Sequence, residues 1–242
     1  MIALVVGSSP PMKSDWYTAF RFPEAPAAMI TPLAAAKLHM YSWSNRRRSL
    51  SCRASAAITL TPAESAQAAR DILLAEATGG RLHIAHVSAQ STVEVVAWGK
   101  ARGVAVTAET CPHYFTLTDD AITGFDTNCK VNPPLRTEAD RRASIAAIAD
   151  GTIDCIATDH APHLKGEKDA EWDAAPAGMT GLETAFSLGY ETLVLGGALD
   201  LAGYVARLTV KPAQILGLSL PLLEVGREAE LVVLDLDADW QY

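Results

Sequence analysis

An apolar run that ends abruptly in polar residues is the feature that most constrains this chain. Residues Ile153–Ala157 are apolar apart from one aspartate, and Asp159, His160 and His163 follow closely. A short apolar run bounded by turn signals predicts a parallel strand covered on both faces, and ligands collect outside the carboxyl ends of such strands. Pro162 stiffens the loop, so His163 would be held near Asp159. The alternative is an aspartate that caps the next turn beside two surface histidines.

The length and charge of the chain narrow the kind of partner it takes. At 242 residues it is long enough for one or two domains with a buried core, and its formal net charge is −8. The acidic balance argues against nucleic acid, which usually requires a basic patch, and favours a small-molecule partner. No apolar run approaches a membrane span, and the opening Met1–Val6 lacks a basic segment. We therefore expect no membrane association and a cytoplasmic location.

The cysteines are spaced too irregularly for a zinc knuckle or a disulfide framework. No two of them form a Cys-x-x-Cys pair, and one lies inside the apolar run. We expect reduced thiols at all of them: Cys52, Cys111, Cys129 and Cys155.

Periodicity divides the chain into three parts. Residues 1–54 show no helical or strand period and predict an irregular leader without an assigned fold. Residues 55–218 alternate strands and helices, and residues 219–242 contain the run Glu228–Asp235, which predicts a strand of a small accessory β-domain. In the middle part, Thr61 and Glu64 form the sequence pattern of a capping box and predict a helix start, and the following glycines predict its end.

The middle part repeats the order strand, polar loop, helix. A side-chain period of two places His83 and His86 on opposite faces of a strand, so that only one can face a common site, and His86 lies nearer the carboxyl end. Taken alone, each is more often a structural histidine than a metal ligand. The pattern predicts strands at Arg81–Val87, Val104–Glu109 and Ile153–Ala157, and helices at Thr92–Arg102, Glu138–Ala149, Leu182–Leu195, Leu201–Leu208 and Pro212–Leu218.

Two further segments lie between these elements. The prolines of Lys130–Arg136 fix an extended backbone that would present Asn132 and Arg136 rigidly, although a structural turn explains the same residues and is favoured when they are taken alone. The charged stretch Lys165–Asp173 predicts a solvated loop. After it, Gly178 could let the backbone approach a ligand.

Three polar side chains follow successive strands of this pattern. His86, Asn132 and Asp159 stand at corresponding carboxyl-end positions, which indicates an α/β fold, part of a (β/α)8 barrel with its site on that face. Imidazole nitrogen and carboxylate oxygen are good ligands for Zn²⁺, and such a site keeps an open position for water. A carboxylate beside that water can accept its proton.

Four motifs, in order, resemble those of the dihydroorotases of the amidohydrolase superfamily. The likeness extends from about residue 60 to about residue 237, and the ending Ala161-Pro162-His163 favours this family over the similar hydantoinases and allantoinases. The resemblance implies a metal-dependent (β/α)8 barrel with a small β-domain, and the reversible conversion of N-carbamoyl-L-aspartate to L-dihydroorotate in pyrimidine synthesis. The motifs are His86-Val87-Ser88, Lys130-Val131-Asn132-Pro133-Pro134-Leu135-Arg136, Ala157-Thr158-Asp159-His160-Ala161-Pro162-His163 and Gly181-Leu182-Glu183-Thr184.

The resemblance also implies roles for individual residues. His86 is similar to a zinc ligand of the sixth barrel strand, and Asp159 to an eighth-strand ligand that also serves as general acid and base. Asn132 and His163 are similar to substrate contacts. The pair Ala177-Gly178 stands where the family holds the substrate ring with backbone groups, although phenylalanine is commoner than alanine there. A further family histidine, matched by His113, is expected outside the ligand shell.

The chain departs from the family at its start. The His-x-His pair of the first strand and the ligands of the fourth and fifth strands are absent from the sequence, and His39 is a poor substitute. We therefore expect the second half of a dihydroorotase behind an unrelated leader, as a truncated or frame-shifted reading would produce, with weak zinc binding and no activity of its own. The alternatives are a non-catalytic subunit that partners a transcarbamoylase or forms a homo-oligomer, and a cyclic amidase that acts on hydantoins or allantoin.

Overall fold

A computed structural model describes residues 5–6, 53–218, 225–226, 228, 230–239 and 241, with backbone alone at 5–6 and 53–60. The described residues divide into a large unit, Arg53–Glu230, and a small one that includes Leu231–Asp239. The large unit contains helices α1 (Arg53–Thr78), α2 (Gln90–Ala101), α3 (Pro112–Thr116), α4 (Glu138–Asp150), α5 (Lys165–Lys168), α6 (Ala185–Gly189), α7 (Leu201–Leu208) and α8 (Val210–Leu216), 3-10 turns at Asp119–Ile122 and Thr127–Cys129, and a π-helix at Tyr190–Leu195.

A parallel sheet lies at the centre of the large unit. Its strands β2 (Leu82–Ile84), β3 (Val106–Thr110) and β4 (Cys155–Ile156) are adjacent in that order. Leu82 pairs with Val106, and Glu109 pairs with Cys155. Because α2 connects β2 to β3 and α4 lies between β3 and β4, the sequence-predicted alternation of strands and helices is confirmed.

The main core lies between this sheet and its helices. It includes Val96 of α2, Ile148 of α4 and Tyr204 of α7, all fully buried. The Tyr204 hydroxyl donates hydrogen bonds to the carbonyls of Ala185 and Phe186 at 2.9 and 3.0 Å. Gly189 is required where α6 passes this ring, because an added Cβ would overlap the hydroxyl. Helices that precede β4 in the sequence, α2 and α4, and a helix that follows it, α7, therefore pack together in the core of the sheet.

The start of helix α1 differs from the prediction. The helix begins at Arg53 and runs through Pro62, and it does not begin at Thr61. Glu64 does not complete a capping box but accepts hydrogen bonds from the backbone N–H groups of Ser88 and Ala89. The predicted end is confirmed, since left-handed Gly79 follows Thr78. Long-range contacts of the polar side chains explain why their local pattern was misleading.

Helix α4 follows its local signals closely. The backbone N–H of Thr137 donates to the Asp140 carboxylate at 3.2 Å, and the backbone N–H of Asp140 is 3.4 Å from the Thr137 hydroxyl, which together form a capping box. Left-handed Gly151 ends the helix. Asp140 also accepts a hydrogen bond from the backbone N–H of Gln90 at 2.8 Å, which ties the start of α2 to α4.

The elements after β4 agree with the sequence in part. The helix predicted at Leu182–Leu195 is divided into α6 and the π-helix Tyr190–Leu195. Helix α7 has the predicted bounds, and Asp200 caps it by accepting from the N–H of Gly203 at 2.7 Å. Helix α8 starts and ends two residues earlier than predicted.

The stretch Lys165–Asp173 is largely exposed, as predicted for a solvated loop, apart from one buried lysine. It contains the short helix α5, and Lys168 is 8% exposed. The ammonium of Lys168 donates to the carbonyls of Thr127 and Pro176, each at 3.0 Å. These carbonyls replace water as hydrogen-bond partners of the ammonium, so the buried positive charge is still solvated by the protein. Burial and the neighbouring ammonium of Lys130 lower the pKa of Lys168.

The small unit contains two short strands. Strand β1 (Val5–Val6) pairs in parallel with β5 (Val233–Leu234). The strand predicted at Glu228–Asp235 is thus confirmed over two residues, and the proposed domain boundaries at 54 and 218 stay predictions. The rest of the predicted leader, residues 1–4 and 7–52, lies outside the described residues. Within the described part of the chain, no helix combines the length and hydropathy of a membrane span.

Candidate active site at the carboxyl ends of the strands

Polar side chains follow or end all three strands of the central sheet. His86 follows β2, Glu109 lies near the end of β3, and Asp159 follows β4. Both His86 and Asp159 have left-handed backbones, with φ of 59° and 47°. Non-glycine residues adopt this conformation uncommonly, and it is concentrated at functional sites. The two turns direct an imidazole and a carboxylate to the same place.

The imidazole of His86 lies between two carboxylates. Its Nε2 is 3.7 Å from Oδ1 of Asp159, and its Nδ1 is 3.3 Å from Oε1 of Glu109. The side chains of His86 and Asp159 are 34% and 25% exposed, so they are accessible without being fully solvated. The structure therefore brings together the two residues that the sequence proposed as metal ligands, and adds a third polar group that it did not propose.

The prediction that His83 and His86 face opposite sides was wrong. Nε2 of His83 lies 3.2 Å from Oε2 of Glu109, whose other oxygen contacts His86. Strand β2 ends at Ile84 and the backbone turns left-handed at His86, so the alternation of a strand no longer applies there. His83 is hydrogen-bonded as expected for a structural residue, with Nδ1 2.8 Å from the Thr107 hydroxyl.

Burial and charge alter the proton affinities around this pair. Burial raises the pKa of Asp159, and the Glu109 carboxylate raises it further, while the imidazole of His86 opposes the shift. A raised pKa makes Asp159 a stronger proton acceptor. The neighbouring His113 is 4% exposed, and its Nε2 has no hydrogen-bond partner among the described residues. Burial, with a smaller effect from His86, lowers the pKa of His113 to about 4.

One cysteine thiol lies close to each of His86 and His83: Cys111 to His86, and Cys155 to His83. Sγ of Cys111 is 3.5 Å from Nδ1 of His86. Burial and then the carboxylates of Asp159 and Glu109 raise the pKa of Cys111 strongly, so that it remains a thiol. Burial and nearby carboxylates also raise the pKa of Cys155 to about 12. Cys111, Cys129 and Cys155 are free, as predicted, and Cys52 lies outside the described residues.

The donor atoms fit a divalent metal ion. Two groups of three residues each place one ligand atom apiece within 4.8 Å of one another. One group is His86, Cys111 and Asp159, and the other is His83, Glu109 and Cys155. Nitrogen, oxygen and sulfur donors in one cluster are typical of zinc. The first group contains both ligands proposed from the sequence.

The loop that carries Asn132 is fixed by its neighbours. The Tyr114 hydroxyl donates to the Pro133 carbonyl at 2.7 Å. Asn132 itself is exposed, so it is available to a ligand, and its assignment as a substrate contact stays a prediction. Arg136, at the other end of the motif, is 4% exposed and pairs with Glu64 at 3.0 Å. The structural interpretation of this motif therefore applies to Arg136.

The other residues proposed to hold substrate contact one another. Nε2 of His163 lies 3.2 Å from the Ala177 carbonyl, and the N–H of Gly178 donates to the Lys130 carbonyl at 2.9 Å. Gly178 has a φ of 143°, and an added Cβ would approach the carbonyl of Ala161 to 2.8 Å. Glycine is thus required for the close approach of the two loops. The roles of His163, Ala177 and Gly178 toward a substrate stay predictions.

Two neighbours of the site were missed from the sequence. Glu109 is the last residue of the predicted strand Val104–Glu109. The reasoning about carboxyl ends that identified Asp159 would therefore also have identified Glu109. Cys111 gave no comparable signal, because one buried cysteine is most often a packing residue.

Comparison with known proteins defines the class to which this fold and site belong. Residues 47–242 match the model of the amidohydrolase family, and the chain belongs to that family. It is 54% identical to a dihydroorotase of Pelotomaculum thermopropionicum over 175 residues, which cover 72% of this chain and 41% of that protein. It is 52% identical to a dihydroorotase of Ruminiclostridium cellulolyticum over 180 residues, which cover 74% and 42%. The chain thus spans about two fifths of the length of these relatives.

A solved structure extends the likeness to the fold. The L-hydantoinase (dihydropyrimidinase) from Arthrobacter aurescens has a TM-score of 0.67 and 31% sequence identity, with 74% of this chain and 41% of that chain covered. Together with the parallel βαβ arrangement, this match confirms the predicted class, a partial (β/α)8 barrel of the metal-dependent hydrolase type.

Proposed function

We propose that this chain carries part of the active site of a dihydroorotase, which interconverts N-carbamoyl-L-aspartate and L-dihydroorotate in pyrimidine synthesis. The observation that carries the proposal is the approach of His86 Nε2 to Asp159 Oδ1, which lie 3.7 Å apart after the two outer strands, β2 and β4, of the three-stranded sheet. The identity to two dihydroorotases, at 54% and 52%, supports the choice of substrate over hydantoins, since the hydantoinase is 31% identical.

In this proposal, His86 and Asp159 would hold zinc. When bound, zinc would lower the pKa of a coordinated water and polarise the ring carbonyl. Asp159 accepts the proton of the attacking water and returns it to the ring nitrogen as the amide C–N bond breaks. Cyclisation is the same sequence in reverse, with Asp159 first taking the proton from the carbamoyl nitrogen.

The remaining proposed residues orient the substrate. Asn132 is exposed and can donate its amide hydrogens to a substrate oxygen. His163 exchanges its contact with the Ala177 carbonyl for the substrate carboxylate, which an imidazole N–H binds through a charge-assisted hydrogen bond. The Ala177-Gly178 backbone lies against the ring.

By itself, the 242-residue chain should bind zinc weakly and show no turnover. A catalytic zinc usually has three protein ligands, and the resemblance assigns two of them to this chain. The Cys111 thiol is a third donor in reach, but its raised pKa opposes the thiolate that binds metal. Assembly with a transcarbamoylase or with further copies of this chain would be a separate function, and no contact within the described residues favours it.

A substrate panel tests the proposed reaction. We would co-express the chain with the N-terminal half of a related dihydroorotase and supply dihydroorotate, hydantoin and allantoin. Turnover of dihydroorotate alone is expected, whereas preference for hydantoin would contradict the assignment.

In the same assembly, His163→Ala should raise KM more than it lowers zinc content. A parallel loss of zinc would move His163 from the substrate to the metal.

A further inference from the structure

Glu109 lies between two histidines of the site and takes no part in the proposed reaction. It lies on β3 beside Cys155 of β4, and its side chain is 15% exposed. Its two carboxylate oxygens contact different imidazoles: Oε1 is 3.3 Å from Nδ1 of His86, and Oε2 is 3.2 Å from Nε2 of His83. One carboxylate therefore joins the proposed metal ligand to a structural histidine.

The contacts in this cluster favour one arrangement of protons on the two neutral imidazoles. An ionised carboxylate can only accept hydrogen bonds, so it favours a proton on the imidazole nitrogen that faces it: His83 Nε2 is hydrogen-bonded to Glu109, and His86 Nδ1 lies at an ion-pair distance of 3.3 Å. His86 then carries its proton on Nδ1, and the lone pair of Nε2 faces Asp159, 3.7 Å away. His83 carries its proton on Nε2, and its Nδ1 accepts from the Thr107 hydroxyl at 2.8 Å.

The other neutral tautomer of His86, with its proton on Nε2, fits these contacts less well. A proton on Nε2 would leave the lone pair of Nδ1 3.3 Å from a carboxylate oxygen, closer than the 3.7 Å that separates Nε2 from Asp159 Oδ1. The Cys111 thiol is the other group near Nδ1, at 3.5 Å. A thiol is only a weak donor and a weak acceptor, whereas the negative charge of a carboxylate attracts an N–H proton strongly. The Glu109 contact therefore prevails.

We propose that Glu109 is a positioning residue that holds His86 with its proton on Nδ1 and so directs the Nε2 lone pair to the metal. This inference rests on the proposed role of His86 as a zinc ligand. Histidines that bind metal commonly donate their other N–H to a carboxylate, and loss of such a partner costs about 10- to 100-fold in metal affinity. Glu109 acts through His86 and does not touch the substrate.

The tautomer can be read directly in the metal-free chain. Histidine labelled with ¹⁵N gives different nitrogen shifts for protonated and unprotonated ring positions, and a His86→Asn sample identifies the signal. We expect the proton on Nδ1 in the wild-type chain. Glu109→Ala should move it to Nε2, the position preferred by free imidazole, and weaken zinc binding about 10- to 100-fold, measured by competition with a chromophoric chelator. Glu109→Gln should restore part of the affinity, because its amide oxygen still accepts from Nδ1.

The controls separate positioning from general structural damage. Glu183→Gln makes a charge loss beside a different imidazole, that of His160, whose Nδ1 is 3.7 Å from Glu183. It should leave both the His86 tautomer and the zinc affinity unchanged. If Glu109→Ala does not fold, the His86 tautomer in the wild-type spectrum and the zinc affinity of Glu109→Gln still test whether Glu109 positions His86.

Two results would overturn the inference: a wild-type His86 with its proton on Nε2, or a Glu109→Ala chain with unaltered tautomer and zinc affinity. The tautomer is measured without metal or substrate. A proton on Nδ1 that shifts in Glu109→Ala would therefore support positioning even if no variant bound zinc, and the absence of binding would count against the proposed metal site alone.

Discussion

At the scale of single residues, two left-handed backbones define the candidate site. His86 and Asp159, with φ of 59° and 47°, turn out of their strands and meet at 3.7 Å. The motif around Asp159 predicted such an acid at a strand end. The approach of Glu109 to both histidines depended on where β2 stops, which the residue pattern did not reveal.

Replacement of Asp159 tests its proposed double role. In an assembly completed by the N-terminal half of a related dihydroorotase, Asp159→Asn should lower kcat by about 10²- to 10⁴-fold, because an amide cannot accept the proton of water. Zinc content should also fall, since a neutral amide is a poorer ligand than a carboxylate. Steady-state turnover and metal analysis measure the two effects, and near-normal turnover would end the assignment.

Buried His113 should make the stability of the chain depend on pH. Its pKa in the fold is about 4, against an ordinary 6.5. As pH falls below 6.5, the unfolded chain takes up a proton that the folded chain refuses, so the free energy of unfolding decreases until about pH 4. The full gap in pKa corresponds to about 3 kcal/mol.

Urea unfolding at a series of pH values between 7 and 4 measures this dependence. His113→Phe cannot take up a proton and should show a flatter profile than the wild type over that range. Equal slopes in the two proteins would show that other groups cause the acid sensitivity.

At the scale of elements, local signals predicted some helices well. Helix α4 has its capping box and terminal glycine within its own sequence, and α7 has Asp200 as its cap. Helix α1 was misjudged because Thr61 and Glu64 make contacts far along the chain. The helix already begins at Arg53, and the partners of Glu64 after β2 lie outside any local window.

The ion pair of Glu64 and Arg136 should stabilise the packing of α1 against the loops that follow β2 and precede α4. Arg136 donates to Glu64 at 3.0 Å and to the Ser88 hydroxyl at 3.0 Å, and its side chain is 3% exposed. Arg136→Ala leaves a carboxylate without this buried partner, so the free energy of unfolding should fall by about 3–5 kcal/mol.

A matched arginine serves as the control for this measurement. Arg142 pairs with Glu138 on the surface of α4, and its side chain is 75% exposed. Arg142→Ala should leave the urea midpoint essentially unchanged, because water and salt screen an exposed pair. Equal losses in the two variants would show that burial of Arg136 contributes nothing.

At the scale of the whole molecule, the chain is a parallel βαβ segment of a barrel with polar groups gathered at one edge. The alternation of strands and helices and the fold class could be predicted because apolar runs and helix signals recur regularly. The pairing of β1 with β5 could not, since it joins residues more than two hundred positions apart. The spacing of His86 and Asp159 after their strands carries the functional assignment, and the relatives extend well beyond the span that this chain matches.

Zinc occupancy and dihydroorotate turnover, measured on the same samples, test the account most directly. The purified chain alone should contain little zinc and have no detectable activity. Co-expression with the N-terminal half of a related dihydroorotase should raise both, and His86→Asn or Asp159→Asn in that assembly should lower both again. Full zinc occupancy and turnover from the chain alone, or an active assembly indifferent to both substitutions, would contradict the account.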